Sequence, residues 1–166
     1  MVEIETGYRP GLLGRTVELH AVTYARIAGF GRGFESNVAA GLAEFVLRLD
    51  NPRNEIWAAV QSGIVVGSVT IDGEDMGPDR AHLRWFIVEE TVRGGGIGRM
   101  LLRRAIEFCD RQGFPEIHLW TFRGLDAARK LYEAHGFVLA EERTDRQWGE
   151  EVLEQRFVRL ASLSAN

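Results

Sequence analysis

The chain has 166 residues, 45% hydrophobic and 27% charged, with a formal net charge of −4 and a mean hydropathy of −0.13. That is about one domain's length with enough apolar content for a substantial core, and no apolar run approaches the ~20 residues of a membrane helix. The acidic balance argues against a nucleic-acid surface, and the single cysteine, Cys109, excludes a disulfide framework and a cysteine-based zinc site.

The acidic opening MVEIETGYRPG lacks the apolar stretch of a signal peptide, so a cytoplasmic location is the default expectation. From Leu12 to Ala28 apolar residues recur at helical spacing (Leu13, Val17, Ala21, Tyr24, Ile27), with Gly29 as a stop. A second helical pattern covers Phe34 to Leu49. EIWAAVQSGIVVGSVTID then reads as two strands about the turn Gln61-Ser62-Gly63. The polar stretch 72 to 80 leads into a strand, HLRWFIV, over 82 to 88. A glycine-rich loop and a helix over 98 to 113 follow, then a strand, EIHLWTF, over 116 to 122. A short helix in LDAARKLYEAHGF ends at Gly136, and two strands, FVLAEE and VLEQRFVRL, follow it. Early hairpins and a central strand-helix-strand unit predict an α/β (α+β) domain over 1–166, with helices packed on a mixed sheet.

The chemistry concentrates in VRGGGIGRML, residues 92 to 101. Glycines between a strand and a helix bare the backbone N–H groups of the helix N-terminus, a ready site for phosphate. A nucleotide P-loop would need lysine and a hydroxyl where Arg99 and Met100 stand. A dinucleotide fingerprint would need a third glycine at Arg99 and an acid at the end of the next strand, which instead reads Trp120-Thr121-Phe122. The spacing [Q/R]-x-x-G-x-[G/A] is met at every specified position by Arg93 through Gly98.

Here the chain resembles the GCN5-related N-acetyltransferases (GNAT), whose loop of this form binds the pyrophosphate of acetyl-coenzyme A. AARKLYEAHGF resembles the same family's A-x-x-x-Y-x-x-x-G-F signature through Ala128, Tyr132, Gly136 and Phe137. The resemblance implies a mixed, mostly antiparallel central sheet with helices on both faces, and acetyl-CoA as acetyl donor without a metal. The acceptor is then an amine of a small molecule or a peptide, with no nucleic-acid or membrane partner. Dimerisation is common in the family, but nothing in the residues fixes its mode. HAVTYARIAGF with LWTF…AARKLYEAHGF also resembles the acetyltransferase half of MarR-type regulator fusions. The chain opens at what corresponds to the family's own first strand, with no winged-helix segment, so DNA binding is not implied.

Carried over by motif, Phe86, Ile87 and Val88 match the strand whose backbone meets the pantetheine arm. Arg93, Gly94, Gly95, Gly96, Ile97, Gly98 and Arg99 match the pyrophosphate loop. Tyr132 matches the tyrosine that protonates the departing thiolate. Trp120 stands where some relatives carry a glutamate base. The position four residues before the pantetheine segment, where other relatives carry that glutamate, is His82. Strand alternation places His82, Arg84, Phe86 and Val88 on one face, and imidazole has a suitable unperturbed pKa; a water chain is the alternative base. Leu125 replaces a cofactor-binding asparagine, which leaves a catalytically silent acyl-CoA-binding module as the second reading. The sole lysine, Lys130, sits on a polar helix face and carries no Schiff-base expectation. His20 and Tyr24, one helical turn apart, with Phe30, Phe34, Glu35 and Trp148, are candidates to line the acceptor pocket.

Overall fold

The computed structural model describes residues 1–146 and 150–161. In chain order its elements are β1 (Val2–Thr6), α1 (Leu12–Ala28), α2 (Arg32–Val46), β2 (Glu55–Gln61), β3 (Ile64–Asp72), β4 (Arg80–Val88), a 3-10 turn (Glu90–Val92), α3 (Ile97–Gln112), β5 (Glu116–Phe122), α4 (Asp126–Ala134), β6 (Val138–Asp145) and β7 (Val152–Leu160). Apart from β1 and the 3-10 turn, periodicity locates these elements to within a few residues of their ends. The first strand implied by the family resemblance is β1, whose Val-Glu-Ile-Glu alternation lays it along the edge of β2.

The strands form one sheet in the order β1-β2-β3-β4-β5-β7-β6. All neighbours are antiparallel except β4 and β5, which α3 joins by a crossover. Leu101, Leu102, Ala105 and Cys109 of α3 pack on one face against Trp57, Val69, Ile71 and Leu83. On the other, Leu12 of α1 and Leu42 and Phe45 of α2 cover Ile56, Ala58 and Val65. A mixed, mostly antiparallel sheet thus has helices on both faces, as expected.

Two departures from regularity sit on β4. Its parallel pairing with β5 lasts only from Arg80 to His82, opposite Glu116 to His118; beyond that the strands separate. Its pairing with β3 shifts register between Ser68 and Thr70, so that Val69 faces both Trp85 and Phe86. This bulge puts Trp85 at φ 50°, a left-handed conformation that costs a bulky residue about 1–3 kcal/mol and persists only when packing enforces it. The Trp85 ring lies against α2 where a Cβ on Gly41 would come within 2.9 Å of it, and the Arg84 guanidinium stacks 4.0 Å from the ring centre.

The bulge corrects the expected alternation. Ala81 and Leu83, and then Phe86 and Val88, pack on the α3 face, whereas Trp85 packs on the α1/α2 face. His82 and Arg84 alternate with Ala81 and Leu83, so they share the α1/α2 face with Trp85 and not with Phe86. One extra residue reverses the faces beyond it.

The loop before β4 is anchored by Asp72, fully buried. Its carboxylate accepts from Arg48 (2.7 and 3.2 Å), from Arg84 (3.3 Å) and from the backbone N–H groups of Glu74 and Asp75 (3.0 and 3.2 Å). Burial alone would raise this carboxyl, but the Arg48 bonds and the two amides outweigh it and hold it below the usual carboxylate range. A depressed native pKa gives stability that is present above the unfolded value of 3.8 and lost as the pH falls below it. Asp72→Asn should therefore cost about 3 kcal/mol near neutral pH, the scale for breaking one side of a buried pair. Urea unfolding should show that difference at pH 7 and a much smaller one at pH 3.

Candidate active site

The gap between β4 and β5 opens toward the glycine loop. Glu89 N–H donates to Val66 O (2.8 Å), and the same ladder sets Ile87 opposite Ser68. Alternation therefore turns the peptide of Ile87 toward β3 and that of Val88 toward the gap, with Phe86 two residues back beside the bulge. Val88 O accepts instead from Arg93 Nε (3.0 Å).

At the mouth of the gap α3 begins at an uncapped N-terminus. Gly94 and Gly96 have φ of 89° and 83°, conformations that exclude most side chains. A Cβ on Gly98 would come within 3.3 Å of Leu131 and 3.5 Å of Phe86, so this glycine sits tight against α4 and β4. Among the described residues nothing accepts from the backbone N–H groups of residues 94 to 99; the first helical bond runs from Met100 to Gly96 O (3.0 Å). The first turn holds no acidic residue and carries the exposed Arg99, a placement the helix dipole disfavours unless an anion is bound. Free amides, a closely approached backbone and nearby arginines fit a diphosphate-bearing ligand.

Tyr132 approaches from the α3/α4 side. It is buried, with its ring 6.0 Å from Phe86, 5.9 Å from Phe137 and 6.2 Å from Phe157. No described residue hydrogen-bonds its hydroxyl, and burial pushes the phenol well above its usual pKa of 10, so it stays protonated.

His82 approaches from the opposite, α1/α2 side. Its Nδ1 lies 2.7 Å from Asp75 Oδ2, and its ring meets Trp120 edge-on at 4.9 Å. Burial lowers its pKa, and the hydrogen bond to Asp75 works against that. Asp75 lies in a loop whose sequence offers only a general polar signal; nothing in the pattern ties it to His82.

The aromatic residues expected at the acceptor side do come together. Tyr24 packs 6.2 Å from His20, 6.2 Å from Phe30, 5.3 Å from Phe34 and 5.7 Å from Phe122. Phe122, at the end of β5, was not among the expected lining. Glu35 lies exposed in the first turn of α2, and Trp148 lies outside the described residues. Leu125 is the N-cap of α4 and makes no side-chain capping bond. Among the described residues, no helix is long and apolar enough to cross a membrane, and no group of three or more His, Cys, Asp or Glu could hold a metal.

Known acetyltransferases share this overall fold. A probable acetyltransferase from Staphylococcus epidermidis superposes with a TM-score of 0.77 at 16% identity, covering 98% of this chain and 100% of that one. A putative acetyltransferase from Salmonella typhimurium, solved with its cofactor acetyl-CoA, does so with a TM-score of 0.75 at 16% identity, covering 99% and 96%. The Acetyltransferase (GNAT) family profile matches residues 32–137, and this chain belongs to that family.

Among curated relatives, a probable N-acetyltransferase family 8 member 5 from Mus musculus is 30% identical over 114 residues, 64% of this chain and 50% of its own length. An N-acetylaspartate synthetase from Danio rerio is 37% identical over 89 residues, 54% of this chain and 31% of its own length. The chain thus spans about a third to a half of the curated relatives it matches.

His20 is 5% exposed, and burial pushes its pKa down to about 4 against a weaker opposing bond to Thr16 O (2.8 Å). Because the unfolded value is 6.5, the unfolded chain binds the extra proton first, and stability falls as the pH drops from 6.5 toward 4. His20→Phe, which keeps a ring against Tyr24, should shrink the loss of urea midpoint between pH 7 and pH 5 relative to the wild type.

Proposed function

We propose that this chain is an acetyl-CoA-dependent N-acetyltransferase, a single unit over 1–166, that moves an acetyl group to a primary amine of a small molecule or peptide by direct attack in a ternary complex. The observation that carries the reading is the run of free amides, Gly94 to Arg99, at the mouth of a gap edged by the Val88 peptide. Acetyl-CoA bound there supplies a thioester carbonyl.

Every further step belongs to the chain's own residues. The loop amides with Arg93 and Arg99 neutralise the diphosphate. Phe86 and Val88 line the gap for an extended, amide-bearing arm, and Arg93 shares or releases Val88 O to admit it. His82, directly or through water, takes the amine's proton, and Tyr132 protonates the departing thiolate. Direct attack is favoured over a thioester on the enzyme because the only cysteine, Cys109, is fully buried against the sheet with its thiol pushed well above its usual pKa. The finer likeness to MarR-type fusions has no counterpart among the relatives reported above, and the proposal does not rest on it.

Release of free CoA thiol with a panel of polyamines, amino acids, aminoglycosides and peptides tests the reading and identifies the amine. Acetyl-CoA binding without release for any of them would instead favour the silent acyl-CoA-binding module, to which Leu125 points.

Acetyl-CoA should raise the melting temperature with concentration, as mass action requires. Gly96→Asp should abolish that rise. Aspartate tolerates positive φ better than most residues, and no heavy atom lies within 4 Å of the added Cβ, so the variant folds while setting a negative charge beside the diphosphate. An undiminished shift in the folded variant would remove the loop from the binding site.

Tyr132→Phe keeps the ring contacts and deletes only the proton. It should lower kcat by roughly 10²–10⁴-fold with acetyl-CoA affinity little changed. Near-normal turnover in the folded variant would refute the role.

A further inference from the structure

Four histidines occur in the chain, and all are described. Their hydrogen bonds separate them. His118, 2% exposed, uses both nitrogens, with Nε2 2.8 Å from Glu116 Oε1 and Nδ1 accepting from Arg156 (3.2 Å). His20 and His135 donate from Nδ1 to the carbonyls of Thr16 and Leu131, both at 2.8 Å, and among the described residues no carboxylate hydrogen-bonds either ring. His82 alone sets Nδ1 against a carboxylate and leaves Nε2 with no partner among the described residues.

We propose that Asp75 is the positioning residue of the base: it holds the proton on His82 Nδ1 and aims Nε2 at the closed end of the β4–β5 gap. The proposal deepens the acetyl-transfer reading and rests on it. Asp75 is itself held firmly. Its own N–H donates to buried Asp72 (3.2 Å), and Arg84 lies 3.7 Å from its carboxylate. Trp120 packs against the imidazole from the β5 side, with ring centres 4.9 Å apart.

A carboxylate at Nδ1–H fixes the tautomer and supports the imidazolium that forms, as a base waiting for a proton requires. In the step, the amine nitrogen bonds the thioester carbon and its proton passes to Nε2. The carbon–sulfur bond breaks, the thiolate takes the Tyr132 proton, and Tyr132 regains one from solvent as His82 releases the amine's proton; nothing is oxidised or reduced. The side chains of His82 and Asp75 are 16% and 32% exposed, which leaves the acquired proton a path to solvent.

The charges facing His82 come from several elements. Asp75 from the loop and Asp72 from β3 favour its protonation, and Arg84 on β4 opposes it. Arg48, in the turn after α2, acts behind Asp72, and from β5 His118 stands opposite His82 in register, capped by Glu116 and Arg156. Removing the Asp75 charge leaves burial and Arg84 dominant, so the pKa of His82 falls further.

The test compares kcat/KM–pH profiles of the intact chain as wild type, Asp75→Asn, Asp75→Glu and His82→Ala, with histidine NMR titrations of the first two. In Asp75→Asn, kcat should fall roughly 10-fold to 10²-fold, the scale on which a misaligned group slows a step. The acid limb should move to lower pH together with the His82 titration, while the melting shift with acetyl-CoA is unchanged. Asp75→Glu should restore part of the rate, and His82→Ala should erase the limb. Unchanged kcat in Asp75→Asn, or a lower kcat with the limb unmoved, would overturn the role of Asp75 alone. A wild-type chain that acetylates no amine would overturn the acetyl-transfer reading, and the His82–Asp75 pair with it.

Discussion

The site depends on a pair of parallel strands that stop bonding to each other. β4 and β5 share a register only at Arg80–His82 and Glu116–His118, and a gap follows in what would otherwise be a closed sheet. Unpaired strand edges are costly inside a protein, because each bare N–H or C=O forgoes a bond it had in water. The gap survives because the outer edges are satisfied elsewhere, β4 by β3 and β5 along its whole length by β7. The bulge lies just past the last β4–β5 pair, and the positive φ of Trp85 is enforced by the groove over Gly41 and by Arg84. A helix interior normally penalises glycine by about 1 kcal/mol, and at Gly41 that cost makes room for the Trp85 ring.

Splitting the sheet also joins its two faces. An unbroken sheet would isolate Tyr132, on the α3/α4 side, from His82, on the α1/α2 side. Through the gap, both sides reach the same space. Burial first and then the Tyr24 phenol raise the pKa of Tyr132, while burial raises that of Tyr24 and Arg93 at the mouth opposes it. An amine approaching among the rings of α1 and β5 would meet the gap from the side opposite the proton donor.

The elements were legible because their signals are local. Apolar spacing outlines α1, β2, β3, β5 and β7, and the glycine loop announces itself because positive φ at Gly94 and Gly96 and close approach at Gly98 admit little else. The face assignment along β4 was not legible, because alternation assumes an unbroken ladder. The tertiary packing of Trp85 inserts a residue that no sequence period predicts. His82 could be singled out from its position, but Asp75 could not. Its link to His82 runs through a loop folded around buried Asp72, and Asp72 is held by Arg48 in the turn after α2, 24 residues away in sequence.

The two faces give the candidate acid and base opposite surroundings. Tyr132 is enclosed by Phe86, Phe137 and Phe157, with no hydrogen-bonded or charged partner among the described residues, so burial acts on its phenol almost unopposed and keeps the proton on. His82 is also desolvated, but a carboxylate at 2.7 Å partly restores its affinity for a proton. Burial alone would make the imidazole too weak a base, and full exposure would leave its ring free to turn. Apolar walls for the acid and a hydrogen-bonded carboxylate for the base are how a single fold keeps one group protonated and another ready to accept at the same pH. The separation follows from topology. α4 can bring only the apolar α3-side core to Tyr132, whereas the β3–β4 loop, pinned by the ion pairs of Asp72, brings charge only to the side where His82 lies.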